Sequence, residues 1–98
     1  MIIEIAVLYV KLGQENQFES YFKLASQYIS AISGYISHQL LKCLEQENKY
    51  ILRVHWQNLE DYTIGFRQSP QYAKWKELLH HYYEPFPVVE HYQEINLT

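Results

Sequence analysis

Cysteine is nearly missing from this 98-residue chain: the single Cys43 closes no intrachain disulfide and belongs to no CxxC or metal-ligand spacing. That usage fits a reducing compartment, and the cytoplasm is the expected location. Positive charge is also sparse. Eight Lys and Arg against eleven Asp and Glu leave a formal net charge of −3, and the basic residues are scattered rather than gathered into a stripe that would follow phosphates, so no nucleic-acid partner is expected. With three glycines and three prolines, no linker, repeat or low-complexity stretch divides the chain. Long apolar runs are absent too. The N-terminal IIEIAVLYV is too short to span a bilayer and lacks the basic start and small-residue cleavage site of a secretory signal, so it reads as a strand and no membrane association is expected.

What is present is apolar and aromatic: 48% hydrophobic residues and 16% aromatics, with ten Tyr. Such an excess over the needs of one modest core points to contact with a partner subunit or a ligand. The length suits a single domain over residues 1–98. Residues 2–10 are apolar at both parities except for Glu4, as in a strand covered on both faces. Gly13 ends it. From Gln14 to about Ile32, Phe18, Phe22, Ala25, Ile29 and Ile32 recur at helical spacing, and Ser33-Gly34 breaks the helix.

Tyr35 to Glu45 resumes as a strand, with Ile36, His38, Leu40 and Leu44 on one face and Ser37, Gln39, Leu41 and Cys43 on the other. The polar segment of residues 45–49 is a hairpin loop to a strand from Tyr50 to Trp56. There Leu52, Val54 and Trp56 alternate with Ile51, Arg53 and His55. Asn58 is a suitable N-cap for a helix with two acids in its first turn. Ser69-Pro70 starts a second helix, since Pro favours the first helical position and Ser the cap before it. Pro85 and Pro87 end it, and a last strand is expected over Val88 to Ile95.

The order is strand, helix, strand, strand, broken helix, strand. It matches an α+β fold of the ferredoxin-like, split βαβ kind, with helices on one face of an antiparallel sheet. The other sheet face would expose Ile, Leu, Val and aromatic side chains, a patch that monomers rarely tolerate. Two sheets packed face to face, a homodimeric α/β barrel, would cover it.

The chemistry-bearing residues are few. Five histidines can change charge near neutral pH. His38 and His91 reach the space between sheet and helices, where either can take a proton from a phenol and leave a carbanion able to react with O₂; hydrogen-bonded strand histidines are the plainer alternative. The adjacent His80 and His81 point about 100° apart on a helix, which makes them a poor metal pair, and no metal site is expected. Tyr62, Phe66, Tyr72 and Trp75 form either plain core or the aromatic wall of a pocket for a flat ligand. Arg67, just before the helix break, either holds an anionic oxygen at a pocket mouth or caps a helix C-terminus from the surface. Arg53 and His55 line the pocket or sit in the dimer seam, where Glu4 or Glu90 is the candidate partner for Arg53.

Residues 50–92, YILRVHWQNLEDYTIGFRQSPQYAKWKELLHHYYEPFPVVEHY, resemble the second half of the antibiotic biosynthesis monooxygenase family. The strand ending in Trp56, the FRQSP break at Phe66 to Pro70 and the LLHHYYEPFPVVEHY run come in that family's order, and a first strand ending near Gly13 extends the resemblance over nearly the whole chain. It implies a dimeric α+β barrel. It also implies a monooxygenase that needs no bound cofactor and oxidises an electron-rich aromatic or quinol-type small molecule with O₂. In that reading His38 or His91 is the base, Arg67 the oxyanion partner and Trp75 the platform, with Phe66, Tyr62, Tyr72 and His80 against the substrate. Related haem-degrading enzymes use a first-strand Asn, which IIEIAVLYV does not contain. A non-catalytic dimer that binds a small ligand is the alternative from another class, and haem binding or degradation is a further one.

Overall fold

The computed structural model covers Met1–Thr98. Strand β1 (Ile2–Tyr9) leads through Gly13 into helix α1 (Glu15–Ile29), then to strands β2 (Tyr35–Lys42) and β3 (Lys49–Trp56). A wide π-helical turn (Asp61–Phe66), helix α2 (Pro70–Leu79) with a trailing 3₁₀ turn (His80–Tyr82), and strand β4 (Val89–Tyr92) complete the chain. The sheet order is β2-β3-β1-β4 and every neighbouring pair is antiparallel. This is the expected α+β ferredoxin-like arrangement, with the helices on one face. No helix is long and apolar enough to cross a membrane.

Side-chain parity assigns the two sheet faces. In β3, Tyr50, Leu52, Val54 and Trp56 are buried beneath the helices, while Ile51, Arg53 and His55 look out from the open face. In β1 the buried set is Glu4, Ala6 and Leu8, and Ile3, Ile5 and Val7 stay part-exposed. Within one chain β1 is therefore covered on one face only. Phe18, Phe22, Ala25 and Ile29 of α1 close over the inner face, and truncating a buried aromatic in such a core costs about 3–5 kcal/mol.

Several local expectations change. Helix α1 ends at Ile29, short of Ile32, and the chain turns at Gly34, whose φ is +90°. A β-bulge between Tyr35 and Ser37 leaves Ile36 out of register and exposed, so it does not share a face with His38. Leu44 lies beyond the end of β2 and is also exposed. The last strand is four residues long, not the span to Ile95. Arg53 donates through Nε to Gln39 Oε1 at 3.0 Å; Glu4 is on the opposite face and cannot be its partner.

The break between the helices is built as follows. Asn58 contributes no side-chain cap; instead the Asp61 carboxylate accepts from the Asn58 backbone N–H at 2.9 Å. The turn widens at its end, where the Arg67 N–H donates to the Tyr62 carbonyl at 3.0 Å. Such widened turns often re-aim side chains at functional sites. Ser69 caps α2 as its sequence predicts, its Oγ accepting from the Tyr72 N–H at 3.1 Å with Pro70 next in line.

Candidate active site

A cleft lies between the inner face of the sheet and α2. Its empty space, open mouth included, is about 480 Å³. It is a slot rather than a chamber. Glu4, Ala6 and Leu8 of β1 and Leu52 of β3 form its floor. Phe22, Phe66, Trp75 and Leu79 form apolar walls, and Arg67, Tyr72, His80 and Phe86 surround the more exposed side.

The walls are aromatic because three elements deliver rings to one place. Phe66 at the end of the wide turn stands edge-on to Trp75 (centroids 5.7 Å apart) and to Tyr72 (5.1 Å). Trp75 also meets Phe22 of α1 edge-on at 5.2 Å. Edge-to-face packing of this kind holds rings in fixed orientations.

Glu4 is the ionisable group at the bottom of the slot, 3% exposed. The Trp56 Nε1–H donates to its Oε1 at 2.9 Å. No protein group bonds the other carboxyl oxygen, and the one sealed side-chain polar atom without a partner in this protein is His91 Nε2, so that oxygen opens on the cavity. Burial pushes the Glu4 carboxyl up to about 7, against the Trp56 hydrogen bond and the Arg67 charge, which pull it down. Both protonation states are thus populated near neutral pH.

Arg67 is held on the aromatic rim. Its Nη1 donates to the Tyr62 hydroxyl at 3.1 Å, and its guanidinium lies over the Tyr72 ring at 4.9 Å and the Tyr62 ring at 5.9 Å. These contacts leave other guanidinium donors available to a ligand. Burial raises the Tyr62, Tyr72 and Tyr83 hydroxyls above the ordinary phenol range, so all three are neutral. His80 is neutral as well: burial first, then the positive charges of Lys76 and Arg67, push it down to about 4. Its ring rests against Phe86 at 4.9 Å and Tyr83 at 5.6 Å.

Six of the side chains singled out in the sequence meet in this slot: Tyr62, Phe66, Arg67, Tyr72, Trp75 and His80. His38 and His91 do face the helices but lie outside its lining. The Ser26 hydroxyl donates to the Phe22 carbonyl at 3.0 Å, so it accepts from His38 Nε2–H at 2.9 Å. His38 Nδ1 then accepts from the Tyr35 hydroxyl, 2.5 Å away. Both ring nitrogens are engaged, and the imidazole pins β2 to α1. His91 pairs across the sheet with Glu4, behind Tyr62, whose ring centroid is 4.7 Å from its own.

Glu4 is the site residue that pattern reading passed over. Its signal was present: it is the lone charge in IIEIAVLYV. Tyr83, Phe86 and Pro87 also line the slot, where the sequence marked only the end of a helix. Nowhere do three His, Cys, Asp or Glu side chains converge as metal ligands would.

Comparison with known proteins gives a consistent relationship. Residues 1–78 match the family model described as antibiotic biosynthesis monooxygenase. An uncharacterised Bacillus subtilis protein, YczJ, is 50% identical over 95 residues, covering 97% of this chain and 100% of the relative. A crystal structure from Bordetella bronchiseptica, assigned provisionally as an antibiotic biosynthesis monooxygenase, superposes with a TM-score of 0.92 at 28% identity and covers 97% of each chain. SnoaB from Streptomyces nogalater, described as a cofactor-independent oxygenase, shares the fold with a TM-score of 0.84 at 16% identity, covering 97% of this chain and 93% of that one.

Proposed function

The chain belongs to the antibiotic biosynthesis monooxygenase family, and from that premise we propose that it is a monooxygenase that oxidises a small, electron-rich hydroxy-aromatic or quinol with O₂ and without a bound cofactor. One observation carries the reading: an aromatic-walled slot brings a buried carboxyl, a guanidinium and a neutral imidazole to the same apolar space. Apolar walls with a few convergent polar groups are what a flat substrate with one acidic hydroxyl requires. Once deprotonated, such a substrate supplies its own electron to O₂. The description of SnoaB as a cofactor-independent oxygenase supports the reading at the level of the fold.

Trp75 and Phe66 serve as the platform for the ring, and Arg67 holds the developing enolate or phenolate oxygen through its free N–H groups. The working unit is a homodimer. Ile3, Ile5, Val7, Leu41 and Ile51 form an apolar open sheet face that a second sheet would cover, while Gln39 takes one hydrogen bond from Arg53 and Ser37 engages the His55 Nδ1. The cytoplasm suits a chain whose one cysteine is free.

Oxygen uptake by purified protein tests this, with a panel of a monocyclic hydroquinone, a naphthalenediol and an anthrone. Uptake above the protein-free rate that falls at least tenfold in Arg67→Gln is expected. No uptake with any member would overturn the oxygenase reading and favour a ligand-binding dimer.

A further inference from the structure

The group in the slot best placed to take a proton is not a histidine. His38 has both nitrogens engaged and lies outside the lining, His91 lies behind Tyr62, and His80 is on the exposed rim among Tyr72, Tyr83 and Phe86. Glu4 alone combines burial on the floor, one oxygen fixed by Trp56 and one oxygen open to the cavity. We propose that Glu4 is the catalytic base of this site, its free carboxylate oxygen removing the substrate proton, and that Trp56 is its positioning residue. The assignment rests on the oxygenase reading above and specifies which atom begins the reaction.

The step balances without another reactant. For a substrate whose reactive tautomer has a ring methylene beside a carbonyl, Glu4 takes one C–H proton and leaves a carbanion stabilised as an enolate on Arg67. That carbanion passes one electron to O₂, and the resulting radical pair joins to form a C–O bond. Glu4 returns its proton to the peroxide. It then takes the second C–H proton as the O–O bond breaks, the carbon becomes a carbonyl, and hydroxide leaves to be protonated by Glu4 as water. One O₂ yields one product oxygen and one water, all electrons come from the substrate, and the carboxylate is regenerated.

The surroundings of Glu4 suit a base that cycles near neutral pH. From β3 comes only the neutral Trp56, and from β4 the cross-strand His91, whose imidazole burial pushes below its ordinary range. The wide turn contributes Tyr62 and, just after it, Arg67; α2 contributes Tyr72; and the segment after it His80 and Tyr83. Of these, only Arg67 is charged at pH 7, and it favours the carboxylate. Burial opposes that charge and keeps the conjugate acid within reach.

Glu4→Gln keeps an oxygen to accept from Trp56 and so preserves the floor while removing the base. With the best substrate of the panel, kcat/KM in the wild type should rise with pH through about 7, and Glu4→Gln should lower it at least 100-fold and erase that rise. Trp56→Phe, which deletes a hydrogen bond to the carboxylate, should move the midpoint upward, a shift that loss of packing alone would not produce. A second readout is the carbon-13 resonance of the Glu4 carboxyl, which should move when hydroquinone is added under argon. Wild-type turnover with Glu4→Gln within threefold of it would overturn the base assignment and leave the oxygenase reading intact. A resonance unmoved by hydroquinone in a wild type that oxidises it would do the same. Absence of turnover in the wild type would overturn both.

Discussion

Replacing Glu4 with Gln should stabilise this protein at alkaline pH while leaving its stability at pH 4 nearly unchanged. Burial raises the folded-state value of Glu4 from 4.5 to about 7. The native protein therefore holds this proton more tightly than the unfolded chain between those values, and stability falls as pH rises across that window. The contribution is complete below about 4.5 and lost above about 7. The rise from 4.5 to about 7, at about 1.4 kcal/mol for each tenfold change in proton affinity, is about 3.5 kcal/mol. Glutamine has no proton to lose and can still accept from Trp56, so the variant should not show this decline. Urea unfolding of both proteins at pH 4.5 and pH 8.5 measures it. The histidines, pushed down by burial, tilt stability the other way with pH, but they are common to both proteins and cancel in the difference. Equal stability of the two at pH 8.5, or a less stable variant there, would refute the claim that Glu4 ionises in an apolar floor.

Other positions give sharp expectations. Gly34→Ala drives a Cβ into the Asp61 carboxylate at a residue with φ of +90°; the backbone alone costs about 1–3 kcal/mol, and the urea midpoint should drop accordingly. His80 is neutral in the native state and its folded value is about 4, so its contribution is full above 6.5 and lost as pH falls towards 4. His80→Gln should therefore gain on the wild type as the pH of urea unfolding is lowered from 7 to 4.5. Phe86 is 61% exposed and lines the slot, so Phe86→Ala should change stability by no more than about 0.5 kcal/mol while raising the anthrone-to-hydroquinone ratio of kcat/KM about tenfold.

Elements with their own local chemistry were legible in the sequence. Ser69-Pro70 specifies a helix start through a hydroxyl acceptor and a fixed φ, and the structure has Ser69 as the cap with Pro70 opening the helix. The alternation of Leu52, Val54 and Trp56 with Ile51, Arg53 and His55 gives two faces, but parity does not say which one the helices cover. The sheet order decides that, and with it the fates of Glu4 and Arg53. The bulge at Ile36 was hidden because a one-residue insertion leaves composition unchanged while reversing the side-chain phase.

The candidate site was legible where aromatic residues cluster around the helix break, and Tyr62, Phe66, Arg67, Tyr72 and Trp75 line one slot. The sequence left the histidines open between base and pin because a titratable ring on the helix side of a strand can serve as either, and Ser26 and Tyr35, which engage both nitrogens of His38, lie on α1 and at the start of β2. Glu4 was visible as an anomaly in an apolar strand. Its partner Trp56 stands 52 residues away, a pairing that only the β1–β3 register reveals.

The most direct test of the oxygenase account is single-turnover oxidation of a monocyclic hydroquinone or a keto-tautomerising phenol under ¹⁸O₂, followed by mass analysis of product and water. The account predicts one labelled atom in the product and one in water for each O₂ consumed, at a rate that Glu4→Gln lowers at least 100-fold. Product carrying no label, or no product under conditions where binding of the phenol is measured directly, would contradict it.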